Sequence, residues 1–84
     1  MKLLVSEQIL ARLRTLHPDH RREIRSALRE LARGRGDVKE LAGRLAGFYR
    51  LRIGRYRIVY RYEEKHLEAI FLEQRSVVYE LLRP

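Results

Sequence analysis

Three features of this 84-residue chain predict an α+β domain. Two segments with apolar residues at helical spacing fill residues 6–33. Two later runs alternate in steps of two and meet at Gly54-Arg55, the pattern of a β-hairpin. A short apolar stretch, Leu3-Leu4-Val5, opens the chain as a strand. Two antiparallel helices with apolar stripes need a surface to cover, and the strands supply it. The expected architecture is a short N-terminal strand followed by two helices packed on one face of a mainly antiparallel sheet.

Each element has a local reason. Ser6 is a good N-cap, and Glu7 behind it suits the positive end of a helix dipole. Ile9, Leu10, Leu13 and Leu16 then mark one face of a helix that ends near His17. Pro18 tolerates a first-turn position and Asp19 again favours a helix start. The second helix carries Ile24, Ala27, Leu28 and Leu31 on one side, with arginines and glutamates on the other. Gly34 and Gly36 end it. Residues 37–47 are ambiguous: Leu41, Ala42 and Leu45 could support one helical turn, whereas Gly43 and Gly47 favour a loop. Glu63-Glu64-Lys65-His66 forms a polar turn after the hairpin. Residues 67–72 read as a third strong strand, and residues 77–82 as a fourth.

The hairpin is the most specific local feature. Glycine at the first of two turn positions suits a type II′ turn, where a positive φ costs it nothing. That turn sets Ile53 opposite Tyr56, Arg52 opposite Arg57, Leu51 opposite Ile58 and Arg50 opposite Val59. Tyr49, Leu51, Ile53, Tyr56, Ile58 and Tyr60 then share a core face. Phe48, Arg50, Arg52, Arg57, Val59 and Arg61 share the other. Between residues 41 and 62 there are six arginines and no acidic residue. Like charges directly across a strand pair destabilise it. Arg52 facing Arg57 therefore points to a bound anion, the alternative being a solvated face.

Composition narrows the function classes. The chain has room for one domain, residues 1–84, and no repeat or linker is visible. Its formal net charge of +8 makes nucleic acid or an acidic protein the first partners to consider. It has no cysteine, which excludes disulfides, thiolate nucleophiles and cysteine-bound zinc. His17, His20 and His66 show no ligand spacing with an acidic partner, so no metal site is expected. No apolar run approaches a membrane span, and the N-terminus lacks a signal peptide's apolar core. A soluble, cytoplasmic protein is the expectation.

Leu45-Ala46-Gly47-Phe48-Tyr49-Arg50-Leu51-Arg52-Ile53-Gly54-Arg55-Tyr56-Arg57-Ile58-Val59-Tyr60 resembles the central signature of the RelE/ParE toxin superfamily. That signature runs Gly, two residues, Arg-Leu-Arg, a branched residue, Gly, any residue, Tyr-Arg, two branched residues and Tyr. Gln74-Arg75-Ser76-Val77-Val78-Tyr79 is similar to the family's ending. The resemblance implies a RelE-like fold and a toxin of a toxin–antitoxin pair. RelE-type members enter the ribosomal A site and cut mRNA by attack of a 2′-hydroxyl on the adjacent phosphate. The products are a 2′,3′-cyclic phosphate and a 5′-hydroxyl, and the reaction uses no metal or cofactor. A cognate antitoxin wraps such toxins, so the oligomer expected is one formed with it. ParE-type members share the fold and poison DNA gyrase instead.

The resemblance assigns roles by position. Arg50 and Arg52 fall on the basic residues of the family's second strand, and Arg57 on the arginine of its Tyr-Arg pair. Arg75 lies near the C-terminal arginine, and Tyr79 matches the terminal tyrosine. Fixed guanidinium donors suit the charge that gathers on phosphate oxygens in this reaction. Arg52 and Arg57 are the expected phosphate clamp, with Arg50 and a peripheral Arg61 binding RNA. Arg75 would donate to the leaving oxygen. Arginine keeps its proton, so Arg52 cannot act as a base. Tyr79, with an ordinary pKa of roughly 10, would be the base or an orienting group once nearby guanidiniums lowered that value. As part of a strand with Val77 and Leu81 it could instead be core.

Two departures from the family pattern stand out. Glu73-Gln74-Arg75 puts an acid where a base often lies, and the few residues after Tyr79 predict that the C-terminal helix of some members is absent. Three functions remain in view. The first is a ribosome-dependent endoribonuclease, the second a ParE-like gyrase inhibitor, the third a degenerate member that only binds RNA or its antitoxin. A small basic domain with an apolar–basic face also predicts a separate acidic, amphipathic antitoxin that folds on contact.

Overall fold

The computed structural model describes residues 1–82, and the side chains of all of these except residues 79, 81 and 82. Strand β1 (Lys2–Val5) leads into helix α1 (Glu7–Thr15) and helix α2 (Pro18–Ala32). Strands β2 (Asp37–Glu40), β3 (Phe48–Ile53), β4 (Tyr56–Tyr62) and β5 (His66–Gln74) follow, with a 3₁₀ turn at Gly43–Leu45. Helix α3 (Arg75–Leu82) is the last described element. The sheet order is β1-β5-β4-β3-β2, with β1 parallel to β5 and every other neighbour antiparallel. This is the α+β architecture expected from the sequence, with a short N-terminal strand and two helices on a mainly antiparallel sheet.

Local chemistry fixes the helix entries. The Ser6 hydroxyl accepts from the Ile9 N–H at 3.2 Å and donates to the Ile70 carbonyl at 2.6 Å, so the N-cap also ties α1 to β5. His17 caps α2, its Nδ1 accepting from the Asp19 N–H at 3.2 Å. The Arg21 guanidinium donates to the carbonyls of Leu13 and Leu16 at the end of α1, adding to the bond that the Leu13 carbonyl accepts from the Leu16 N–H.

The helices cover one sheet face. Ile9, Leu13, Ile24, Leu28 and Leu31 meet Leu51, Ile58, Tyr60, Leu67 and Leu72 in a single core. At roughly 1.5–3 kcal/mol for each fully buried large side chain, this packing is the main reason the helices stay on the sheet. Beyond the end of β1, the edge of β5 is completed by a side chain. The Leu72 N–H donates to Gln8 Oε1 at 2.8 Å, and Gln8 Nε2 donates to the Leu72 carbonyl at 3.0 Å.

Two elements correct the sequence reading. Residues 37–40 form a strand, paired Asp37 to Arg52 and Glu40 to Tyr49, where a loop or a helical turn was expected. The chain after residue 74 is a helix and not a fourth strand, so the C-terminal helix expected to be absent is present. Val59, on the arginine side, and Val78 are both buried yet lie outside the helix-side core. Helix α3 packs against β4 and β5. A core role for Tyr79 as a strand residue falls with that reading. Its side chain lies outside the described residues.

Candidate nucleic-acid interface

The hairpin has the expected register throughout, Ile53 opposite Tyr56, Arg52 opposite Arg57 and Arg50 opposite Val59. Gly54 takes φ +57°, and among the described residues no non-glycine residue has a positive φ, as a type II′ turn with glycine first requires. The arginines of β3 and β4 therefore share the face away from α1 and α2. Their environments differ sharply.

Arg57 is 7% exposed, and its Nη1 donates to the carbonyls of Gly54 at 2.8 Å and Tyr56 at 2.9 Å. It braces the turn from within. Arg50 lies 3.6 Å from the Asp37 carboxylate and 3.4 Å from the Asp37 carbonyl. Arg52, more than half exposed, reaches the same carboxylate at 4.0 Å. Asp37 comes from the edge strand β2 and stands where an anion between those two guanidiniums would stand. Arg61 faces Glu63 at 2.7 Å and Glu68 at 3.4 Å, with its guanidinium 5.8 Å from the Phe48 ring centre. Its charge is balanced inside the molecule.

The tip of the hairpin is different. The Arg75 N–H donates to the Arg55 carbonyl at 2.8 Å, so the start of α3 is anchored on the turn. Arg52, Arg55 and Arg75 are exposed at this end. Arg55 has no carboxylate partner among the described residues. It is the cation that the sequence reading passed over, because a turn position reads first as backbone chemistry. Glu73, opposite Arg57 in the register, is drawn off by Arg12 of α1, whose Nε lies 3.1 Å from it. The acid that departs from the family pattern is thus occupied. Tyr79 belongs to α3, which begins at this tip.

On the helix side, His20 Nδ1 and the Tyr56 hydroxyl are 3.3 Å apart. Tyr49 and Tyr60 stack at 5.5 Å, with Tyr62 edge-on to both. Burial pushes the Tyr60 hydroxyl well above the ordinary tyrosine range, and the neighbouring Tyr62 and Tyr49 add to it. Tyr49 and Tyr60 pack on each other and on the core. Among the described residues no helix is long and apolar enough to cross a membrane.

A five-stranded sheet with two helices on one face and the arginines of its central hairpin on the other is the arrangement of the RelE-like toxin class. The family model for the ParE toxin of the type II toxin–antitoxin system parDE matches residues 5–75, and the chain belongs to that family, within the RelE/ParE superfamily. It is a type II toxin by membership. No curated protein matches the chain by sequence. Among solved structures it is similar to the RelB–RelE antitoxin–toxin complex from Methanococcus jannaschii. That likeness has 19% identity and a TM-score of 0.76, covering 95% of this chain and 99% of that one. It is similar to the archaeal RelE–RelB complex from Pyrococcus horikoshii OT3, with 26% identity, a TM-score of 0.68 and coverage of 88% and 93%. A YoeB/ParE toxin from Agrobacterium tumefaciens has 25% identity and a TM-score of 0.71, covering 88% of this chain and 98% of that one.

Proposed function

We propose that this toxin cuts messenger RNA on the ribosome and is held inactive by an acidic antitoxin. The observation that carries the reading is the hairpin tip. Arg52, Arg55 and Arg75 are exposed there around a turn that Arg57 makes rigid. Three guanidiniums on a stiff scaffold suit a phosphate whose oxygens gain charge during transfer, because the donors need no rearrangement as the charge develops. In the reaction a 2′-hydroxyl bonds to the neighbouring phosphorus as the bond to the 5′-oxygen breaks. The 2′-hydroxyl proton leaves to a base and the 5′-oxygen gains one. The products are a 2′,3′-cyclic phosphate and a 5′-hydroxyl.

Arg52 is the proposed phosphate ligand together with Arg55, Arg50 supports it, and Arg75 faces the leaving oxygen. Arg57 acts by positioning the turn, and Arg61 lies at the edge of the RNA path. Tyr79 is the proposed base or orienting group. Replacing Tyr79 with Phe is expected to lower cleavage by about a hundredfold or more. The antitoxin is the acidic chain that would cover the basic sheet face. Membership in a toxin–antitoxin family and likeness to chains solved as toxin–antitoxin complexes support that partner.

One observation favours a second reading, a ParE-type block of DNA gyrase. Arg57 and Arg61 are engaged within the molecule, which leaves fewer cations for RNA. Translation on programmed ribosomes with mapped cleavage, set beside a gyrase supercoiling assay, separates the two. Cut messages that become intact with Arg52→Ala/Arg55→Ala support the nuclease. Intact messages with inhibited supercoiling overturn it.

A further inference from the structure

Apart from Arg21, which caps α1, the arginines of α2 are exposed and serve neither the core nor the tip. At 100° per residue, Arg22, Arg25, Ser26, Arg29 and Arg33 fall within an arc of about 100° on the outward side of the helix. All five are exposed. Asp19 in the first turn pairs with Arg22, and the other acids of α2 are segregated from the stripe. Glu23 and Glu30 sit on one flank, where with Asp37 they line the groove between α2 and β3.

Arg22 pairs with Asp19, and Arg33 lies 3.7 Å from Glu30. Arg25 and Arg29, one helical turn and about 6 Å of rise apart, have no ion-pair partner among the described residues. Arg21-Arg25, Arg25-Arg29 and Arg29-Arg33 are three successive like-charge pairs at i,i+4 spacing. Each such pair weakens a helix by a few tenths of a kcal/mol. Opposite charges would have stabilised a face meant only for solvent.

The partner that fits is a polyanion and not a folded protein. A protein interface needs an apolar, fully desolvated centre. This arc offers none, since its exposed residues are arginines, Ser26 and Pro18. Forked donors one turn apart suit the phosphates of a nucleic-acid backbone. We infer that the outward face of α2 is a second RNA-binding surface that grips the backbone of a structured, double-stranded RNA. A groove lined by Glu23 and Ser26 of α2 and by Arg52 and Gly54 of the hairpin separates this stripe from the tip. The inference deepens the RNA-directed reading of the chain and rests on it. A toxin that works on a ribosome would use the hairpin tip for the message and this stripe for duplex RNA that holds it in place.

The test measures binding of the full chain to a fluorescein-labelled, blunt-ended RNA duplex across a salt series, with message cleavage scored separately. Arg25→Gln/Arg29→Gln should weaken duplex binding about tenfold or more and flatten the salt dependence by about one for each phosphate no longer neutralised. Arg25→Lys/Arg29→Lys should restore most of the affinity with an unchanged thermal midpoint, whereas Arg25→Gln/Arg29→Gln, which removes the like-charge pairs, should raise the midpoint by a few degrees. Arg52→Gln/Arg55→Gln should leave duplex binding within about twofold while message cleavage falls. Absence of cleavage chemistry in every assay with duplex binding still dependent on Arg25 and Arg29 would sink the nuclease reading and keep this surface. Wild-type duplex affinity in Arg25→Gln/Arg29→Gln overturns the surface. So does an effect confined to an acidic polypeptide probe such as polyglutamate, which would assign the stripe to a protein partner.

Discussion

Arg57 reaches back along its own hairpin and donates to the carbonyl of Gly54, so the arginine at the centre of the family signature holds the turn together. Charge-assisted hydrogen bonds of this kind are worth about 1.5–3 kcal/mol, and removing the donor leaves carbonyls unsatisfied in a nearly buried site. Arg57→Ala is expected to lower the unfolding free energy by about 2 kcal/mol. For a domain of this size that is a fall of roughly 8–16 °C in Tm. Urea unfolding followed by circular dichroism measures it. Unchanged stability together with abolished activity would instead make Arg57 a direct ligand of the phosphate.

Asp37 stands between Arg50 and Arg52 at 3.6 and 4.0 Å and competes with any incoming anion. All three groups are at least partly exposed, so the pairs themselves contribute little, at most about 1 kcal/mol. Asp37→Asn should leave Tm nearly unchanged. It should tighten binding to single-stranded RNA by about two- to fivefold, the equivalent of 0.5–1 kcal/mol, with a steeper salt dependence. Fluorescence titration at several salt concentrations reads both. No gain in affinity would mean that the carboxylate does not occupy the anion position.

The hairpin was legible from residue order alone because its turn chemistry and its two-residue period act locally. Gly54 needs positive φ, Arg55 does not, and every cross-strand partner follows from that. Strand β2 was hidden, since Asp37-Val38-Lys39-Glu40 is exposed throughout and only its pairing to β3 makes it a strand. Helix α3 was misread for the opposite reason. Val77, Val78 and Tyr79 favour strands by propensity, but burial of Val78 and the bond from the Arg75 N–H to the Arg55 carbonyl override it. The arginines of the site could be named, yet not their occupation. Asp37 reaches Arg50 and Arg52, and Glu68 reaches Arg61, through sheet register that no local pattern encodes, while Glu63 reaches Arg61 from two residues along the chain. The bulge between Val59 and Tyr60, which sets Val59 against Phe71 and Tyr60 against Ala69, was equally invisible.

Gln8 gives a stability prediction away from the arginines. Its side-chain amide takes the place of a missing strand residue against Leu72. Gln8→Ala leaves one donor and one acceptor of β5 without partners in a partly buried position, at a cost of about 1–3 kcal/mol. Hydrogen exchange at the Leu72 amide should rise by more than the global loss of stability accounts for. Equal protection in both proteins would show that water replaces the amide without penalty.

Tyr60 makes stability depend on alkaline pH. Its hydroxyl is held above the ordinary tyrosine range by burial, so the folded state keeps its proton where the unfolded chain releases one. A group raised in the folded state contributes stability that is fully present below its unfolded pKa, about 10, and that is lost as pH rises toward the folded value. Unfolding free energy should therefore fall from roughly pH 10 upward, with the unfolded state binding fewer protons than the native one. In Tyr60→Phe this part of the slope should disappear while stability near neutral pH stays similar, because the ring is retained. Urea titrations at stepped pH provide the comparison. Parallel pH profiles in the two proteins would mean that the buried hydroxyl takes no part in alkaline unfolding.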